Sequence, residues 1–176
     1  MPAWLLAATT AVTRLNSAIF RVTVWLMAIV VPVMLYEVVR RYLFNDPTVW
    51  AMELAVLLFG PYFLLGGPYL LHLRGHVTLD IVRQRLSVPW QRRMDLVNFP
   101  VIILFCAILL YFSWPSAWSS WQYRETSFSA WNPPIWPVKA VVPLSLVLML
   151  LQALAELCRV IYRTDVEPLT TEVPQA

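Results

Sequence analysis

Charged residues are sparse in this chain and read as punctuation between apolar runs. Fifteen uncharged residues, Val22 to Tyr36, separate Arg21 from Glu37. Eighteen, Leu54 to Leu71, lie between Glu53 and His72. A third run opens after Asp95 and continues to about Trp118, and a fourth fills the sixteen positions between Lys139 and Glu156. A spanning helix needs about 20 residues, so the shorter runs place their flanking charges at interfaces, with long side chains snorkelling. The pattern predicts an all-α integral membrane protein with four transmembrane helices, at about 20–41, 51–72, 95–118 and 135–158. Residues 1–163 then form a single membrane domain, and 164–176 read as a flexible cytoplasmic tail. Residues 1–20 suggest a short interfacial helix. No positive charge precedes Arg14, so no cleavable signal peptide is expected and the first span reads as a signal anchor.

The connections differ in character. In 73–94, Leu79, Val82 and Leu86 recur at i, i+3 and i+7, with Arg83 and Arg85 on other faces. This predicts a short amphipathic interfacial helix between helices 2 and 3. Trp114, Trp118, Trp121, Trp131 and Trp136 cluster in and around the loop at 119–134, a density that marks the headgroup level. Orientation follows from the 13 basic residues. With the N-terminus inside, nine face the cytoplasm and only Arg40, Arg41, Arg124 and Lys139 face out, which selects N-in/C-in. Every span contains proline, read here as kinks that shape packing.

Composition agrees. Sixty per cent of the 176 residues are hydrophobic, 13% are charged and mean hydropathy is +0.65, against about 25% charged in a soluble domain. The net charge of +3 does not gather into one basic stripe, so nucleic acid is not an expected partner; the lipid bilayer is. Cys106 and Cys158 form no CxxC and suggest neither a disulfide framework nor a zinc site.

Chemistry is nearly absent. His72 and His76 stand four apart, but Gly75 adjoins the second and Asp80 is the nearest carboxylate, so a metal site is not expected. The other helices hold no histidine for axial haem ligation, and no nucleophile elbow or phosphate loop occurs. No catalytic, cofactor-binding or metal residue is assigned, and the chain is not expected to be an enzyme. Gly75, His76 and Asp80 read as parts of the interfacial loop. Glu37, Arg40, Arg41 and Glu53 are expected to form one structural ion cluster where helices 1 and 2 meet, Glu37 preceding the arginines in the favourable i, i+3/i+4 order. Gly60, Gly66 and Gly67 allow close helix approach, either inside the chain or against a partner subunit.

Ordered motifs carry more. RRYLFNDPTVWAMELAVLLF (40–59) resembles the R-Y-x-F-N-x-P-x-x-W-x-x-E-L segment of the small membrane subunit of tripartite ATP-independent periplasmic (TRAP) transporters, the DctQ-type family. LRGHVTLDIVRQRLS (73–87) looks like that family's R-G-x-H-I-x-V-D stretch, and ETSFSAWNPPIWPVKAVVPLSLVLMLLQALAEL (125–157) resembles its outer loop and last helix. Pro68 beside Gly66 and Gly67 departs from the pattern, as does the tryptophan-rich loop. The resemblance implies a multi-pass subunit of the bacterial inner membrane. It would pair with a large transport subunit that holds sodium and substrate, and with a periplasmic substrate-binding protein, for sodium-driven uptake of organic acids. Trp50 and the three glycines are then candidates for the large-subunit interface. Asp46, Arg124 and Glu125 are candidates for docking the binding protein. The alternative is the membrane anchor of a cytochrome-like redox complex.

Overall fold

The computed structural model describes residues 2–73 and 88–162, in four helices: α1 Ala3–Leu43, α2 Ala51–His72, α3 Val88–Gln122 and α4 Trp136–Tyr162. All four are long and apolar enough to cross a membrane. The 22 residues of α2 rise about 33 Å at 1.5 Å each, close to the thickness of a hydrocarbon core. Among the described residues there is no strand, only an isolated bridge between Thr126 and Pro134. The expected interfacial helix at 79–86, with Gly75, His76 and Asp80, lies outside the described residues, as does the tail.

The 41 residues of α1 are a single helix, not a short interfacial helix followed by a span. The segment 3–21 contains no glycine or proline, and Arg14 and Arg21 are good helix formers, so nothing breaks it. It ends where Asn45 takes a left-handed φ of 49° and Pro47 follows, a combination that cannot continue a helix. Pro133 and Pro134 precede α4, and Pro137 occupies its first turn, where no backbone N–H is required. None of the interior prolines, from Pro32 to Pro143, ends its helix.

α4 is the central element. It contacts α3 most extensively and also α2 and α1, while α1 packs mainly on α2. Leu71 of α2, Phe99 of α3 and Ala153 of α4 form the buried apolar core, with Ile102, Ile103 and Met149 against it. Many large apolar side chains stay exposed, among them Trp25, Phe63, Tyr111 and Phe112, as suits a chain whose surroundings are lipid.

The buried face of α1 is polar. Thr9, Thr13, Asn16, Thr23 and Glu37 are buried there, with Val30 the one apolar member. Half-buried Phe20, Met27 and Met34 fill the gaps, so the seam follows an alternating four-three spacing. That is the 3.5-residue period of a left-handed helix pair. In water such a seam would be apolar. In lipid the outward faces are already apolar, and close packing with hydrogen bonds holds helices together instead.

Candidate functional site

Two polar clusters lie at opposite ends of the bundle. The loop end holds the α1–α2 and α3–α4 connections. The terminal end holds the start of α1 and the end of α4.

At the loop end, Glu37 is 2% exposed. Its Oε1 accepts hydrogen bonds from Arg41 Nη2 at 2.6 Å and Nε at 3.1 Å, and its Oε2 accepts from the Thr48 backbone N–H at 3.0 Å and from the Thr48 hydroxyl. One carboxylate thus ties the last turn of α1 to the segment entering α2. Arg40 pairs instead with Asp46, whose backbone N–H returns to Arg40 O at 3.1 Å. Glu53 accepts from Ser129 Oγ at 2.8 Å and, more weakly, from Ser127 Oγ at 3.4 Å.

The four expected cluster members are therefore not one cluster. Asp46 is nearer to Arg40 in the turn, Thr48 completes Glu37, and the register of α2 turns Glu53 toward the long loop. Trp50 is half-buried and stacks on Tyr36 with centroids 6.2 Å apart.

The α3–α4 loop is folded upon itself. Ser127 N–H donates to Pro133 O, Ile135 N–H to Glu125 O, and Phe128 N–H to Asn132 Oδ1, at 3.0, 3.0 and 3.1 Å. Arg124, Phe128 and Asn132 all have left-handed φ angles, from 48° to 54°. Glu125 accepts from Lys139 Nζ at 2.7 and 2.8 Å, and this hydrogen-bonded ammonium holds its carboxyl below the usual carboxylate range. Of the three docking candidates, Glu125 is thus engaged with α4 and Asp46 with Arg40. Arg124 stays exposed, between Tyr123 at 83% and Phe128 at 87% exposure.

The glycines offered as a partner surface face this chain's own helices. A Cβ on Gly60 would lie 3.6 Å from Val138, on Gly66 3.7 Å from Phe20, and on Gly67 3.7 Å from Met149. The close approach they permit is used by α1 and α4.

The terminal end carries a network that the sequence reading missed. Glu156 Oε1 accepts from Arg159 Nη1 at 2.6 Å and Gln152 Nε2 at 2.9 Å, and lies 2.6 Å from His72 Nδ1. An ionised carboxylate only accepts, so the network assigns the ring hydrogen to Nδ1. Arg159 Nη2 reaches Thr13 Oγ1 at 2.9 Å and Thr9 O at 3.2 Å, and Asn16 Nδ2 donates to Gln152 Oε1 at 2.8 Å. His72, Glu156 and Arg159 are each over nine-tenths buried. Three helices are thereby joined by charge-assisted hydrogen bonds, the strong class. Gln152, Glu156 and Arg159 recur at i, i+4 and i+7 in α4. That stripe, facing the polar seam of α1, was the available signal. Among the described residues no three His, Cys, Asp or Glu side chains converge as metal ligands.

Residues 30–163 match the family model of the DctQ component of tripartite ATP-independent periplasmic transporters. The chain belongs to this DctQ family. It is a TRAP-type small permease subunit and a multi-pass protein of the bacterial inner membrane. The sialic acid TRAP transporter small permease protein SiaQ of Vibrio cholerae is 36% identical over 92 residues, covering 51% of this chain and 52% of that relative. The aligned stretch thus spans about half the length of each protein. The DctQ match includes the whole loop-end cluster from Glu37 onward. At the terminal end it takes in His72, Gln152, Glu156 and Arg159 but not Thr9, Thr13 or Asn16.

Proposed function

We propose that this DctQ-type chain is the fixed scaffold of a sodium-driven TRAP transporter for organic acid anions. It lies N-in/C-in, pairs with a large membrane subunit that carries the sodium and substrate sites, and presents its loop end to a periplasmic substrate-binding protein. The observation that carries the reading is the family match over residues 30–163. The name of the Vibrio cholerae relative contains sialic acid, an organic acid, which supports that substrate class.

The internal geometry suits a scaffold. Thr13, Asn16, His72, Gln152, Glu156 and Arg159 bond one another across α1, α2 and α4, and the exposed sides of α1 and α3 are broad and apolar. Such a bundle offers a rigid body for another protein to move against. On this reading the chain has no catalytic role and binds no cofactor. Sodium belongs to the large subunit.

Reconstitution tests the proposal. Sodium-dependent uptake is expected in liposomes only when the chain, the large subunit and the binding protein are all present. Uptake by liposomes holding this chain alone would overturn the scaffold reading. Orientation is tested separately. In a cysteine-free background, Phe128→Cys should react with an impermeant maleimide added to the periplasmic side, and Leu6→Cys only after the inner membrane is opened. The reverse pattern would overturn N-in.

A further inference from the structure

A pocket of about 470 Å³ opens between α1 and α2 at the terminal end, beside the buried network. Arg14, Ser17 and Arg21 line it from α1, and Tyr69 and His72 from α2. Its volume falls within the ordinary range for ligand sites, about 300–1,000 Å³. We propose that it holds the phosphate headgroup of an anionic membrane phospholipid.

The charge pattern points there. At the loop end Arg40, Arg41 and Lys139 each have a carboxylate partner, and at the terminal end Arg159 has Glu156. Arg14 and Arg21 are exposed, and among the described residues neither has a hydrogen bond or an ion pair. They stand seven residues apart on one face of α1, about 10 Å along the axis, with the Ser17 hydroxyl between them. That hydroxyl likewise has no partner among the described residues. Two guanidinium forks and a hydroxyl around a concavity suit a phosphate, which Arg recognises through paired N–H donors. His72 supplies the independent observation. Its side chain is 6% exposed and its Nδ1 is held by Glu156, yet Nε2 is buried without a partner among the described residues. A buried polar atom left unpaired is costly. With the ring hydrogen on Nδ1 this one is an acceptor, facing the pocket ready for a headgroup hydroxyl such as glycerol's, while the phosphate oxygens take the arginine donors.

The surface beyond the pocket favours a lipid over free phosphate. Ala18 lines the pocket and Trp25 follows Arg21 one turn on, on the same face of α1; Trp25 is 73% exposed. A headgroup seated between the arginines would leave its acyl chains along this apolar strip. Two cations favour a headgroup with net negative charge over a zwitterion. The site does not rest on the transporter reading; only the leaflet depends on the orientation proposed above.

The test uses the full chain, alone and in complex with its large subunit, purified in detergent and stripped of lipid. Phosphatidylglycerol, phosphatidylcholine with the same acyl chains, and inorganic phosphate are titrated separately and counted by native mass spectrometry. Phosphatidylglycerol should bind tightest. Arg14→Gln and Arg21→Gln should each weaken it about tenfold, the worth of one charge-assisted hydrogen bond. Arg14→Lys should weaken it less, and Arg93→Gln, at an exposed arginine against Trp90, should leave it unchanged. Thermal unfolding in phosphatidylcholine should match wild type for each variant, which separates lost binding from lost folding. Equal affinity for the two lipids would overturn the proposal, and so would wild-type affinity in both glutamine variants. Binding of inorganic phosphate that phosphatidylglycerol cannot displace would assign the pocket to the free anion instead. Phosphatidylglycerol bound by the lone chain but not by the complex would show that the large subunit fills the pocket, which also overturns it.

Discussion

Glu156 sits where an ionised carboxylate without a partner would be costly. It is 6% exposed and holds a guanidinium, an imidazole and an amide on a single oxygen. Arg159→Gln would leave that charge without its cation while also releasing Thr9 and Thr13. Removing one member of a buried pair costs on the order of 3 kcal/mol, a figure that lipid, with its own compensating contacts in the unfolded state, tends to lower. The double variant Glu156→Gln/Arg159→Gln removes both charges and keeps amides that can bond each other, so it should be more stable than Arg159→Gln alone. Reversible unfolding in mixed micelles measures this, and simple additivity of the two single losses would refute the coupling. Glu125 behaves differently because it lies outside the helices. Its carboxyl is held below the ordinary value of 4.5, first by the Lys139 hydrogen bond. A lowered folded-state value means that the contribution is complete above the ordinary value and is lost as pH falls through the folded one. Fluorescence from the loop tryptophans should therefore be flat from neutral pH down to the ordinary carboxylate range and change only below it. Lys139→Met should move that change to higher pH. Identical profiles for the two proteins would show that the pair does not anchor the loop.

Each helix solves the problem of having both an apolar and a polar audience. The run lengths and flanking charges made all four helices legible, because lipid demands long apolar stretches whatever the fold. The polar seam of α1 was not legible by the same means. Apart from Glu37 its polar members are threonines and an asparagine, uncharged residues that barely alter a window average, and their partners lie as far away as Arg159. The single cluster expected of Glu37, Arg40, Arg41 and Glu53 failed for a related reason. Proximity in sequence located the loop end, but only the register of α2 against the α3–α4 loop could reveal that Glu53 meets serines. The glycines of α2 show how far backbone exposure alone can be read. Gly66 faces Phe20, and an added Cβ would meet it at an ordinary 3.7 Å. Gly66→Ala should then fold at least as well as wild type, since alanine gains roughly 1 kcal/mol of helix propensity and costs no clash. Gly66→Leu must displace Phe20 and should lower the unfolding midpoint. A large loss for Gly66→Ala in the assembled complex, with none in the isolated chain, would instead reveal a partner pressed against this position.

At the scale of the whole molecule, the ends of the bundle divide the labour. The terminal end is locked by side chains from α1, α2 and α4, whereas the loop end builds a surface. There a self-bonded loop holds three residues in left-handed backbone conformations and lifts Tyr123, Arg124 and Phe128 into solvent. Non-glycine residues adopt such angles rarely, and where several occur together the surrounding bonds must enforce them. The Lys139–Glu125 pair, the serine contacts to Glu53 and the turn at Asn132 supply that enforcement. A loop bonded to itself in this way presents a fixed surface, and a fixed surface loses little entropy when a partner docks. Tyrosine and arginine are also the residue types that dominate interface hot spots. Arg124 is therefore expected to meet the binding protein directly, while Glu125 and Asp46 act by shaping the surface around it. Arg124→Glu should raise the concentration of binding protein needed for half-maximal uptake, more at low ionic strength than at high, because a rim charge acts mainly on association. Complex assembly and loop fluorescence should stay as in wild type. Glu125→Arg should disturb both uptake and fluorescence, since it sets an arginine against Lys139. Unaltered uptake curves for Arg124→Glu at low salt would exclude the docking role and leave the exposed aromatics as headgroup anchors.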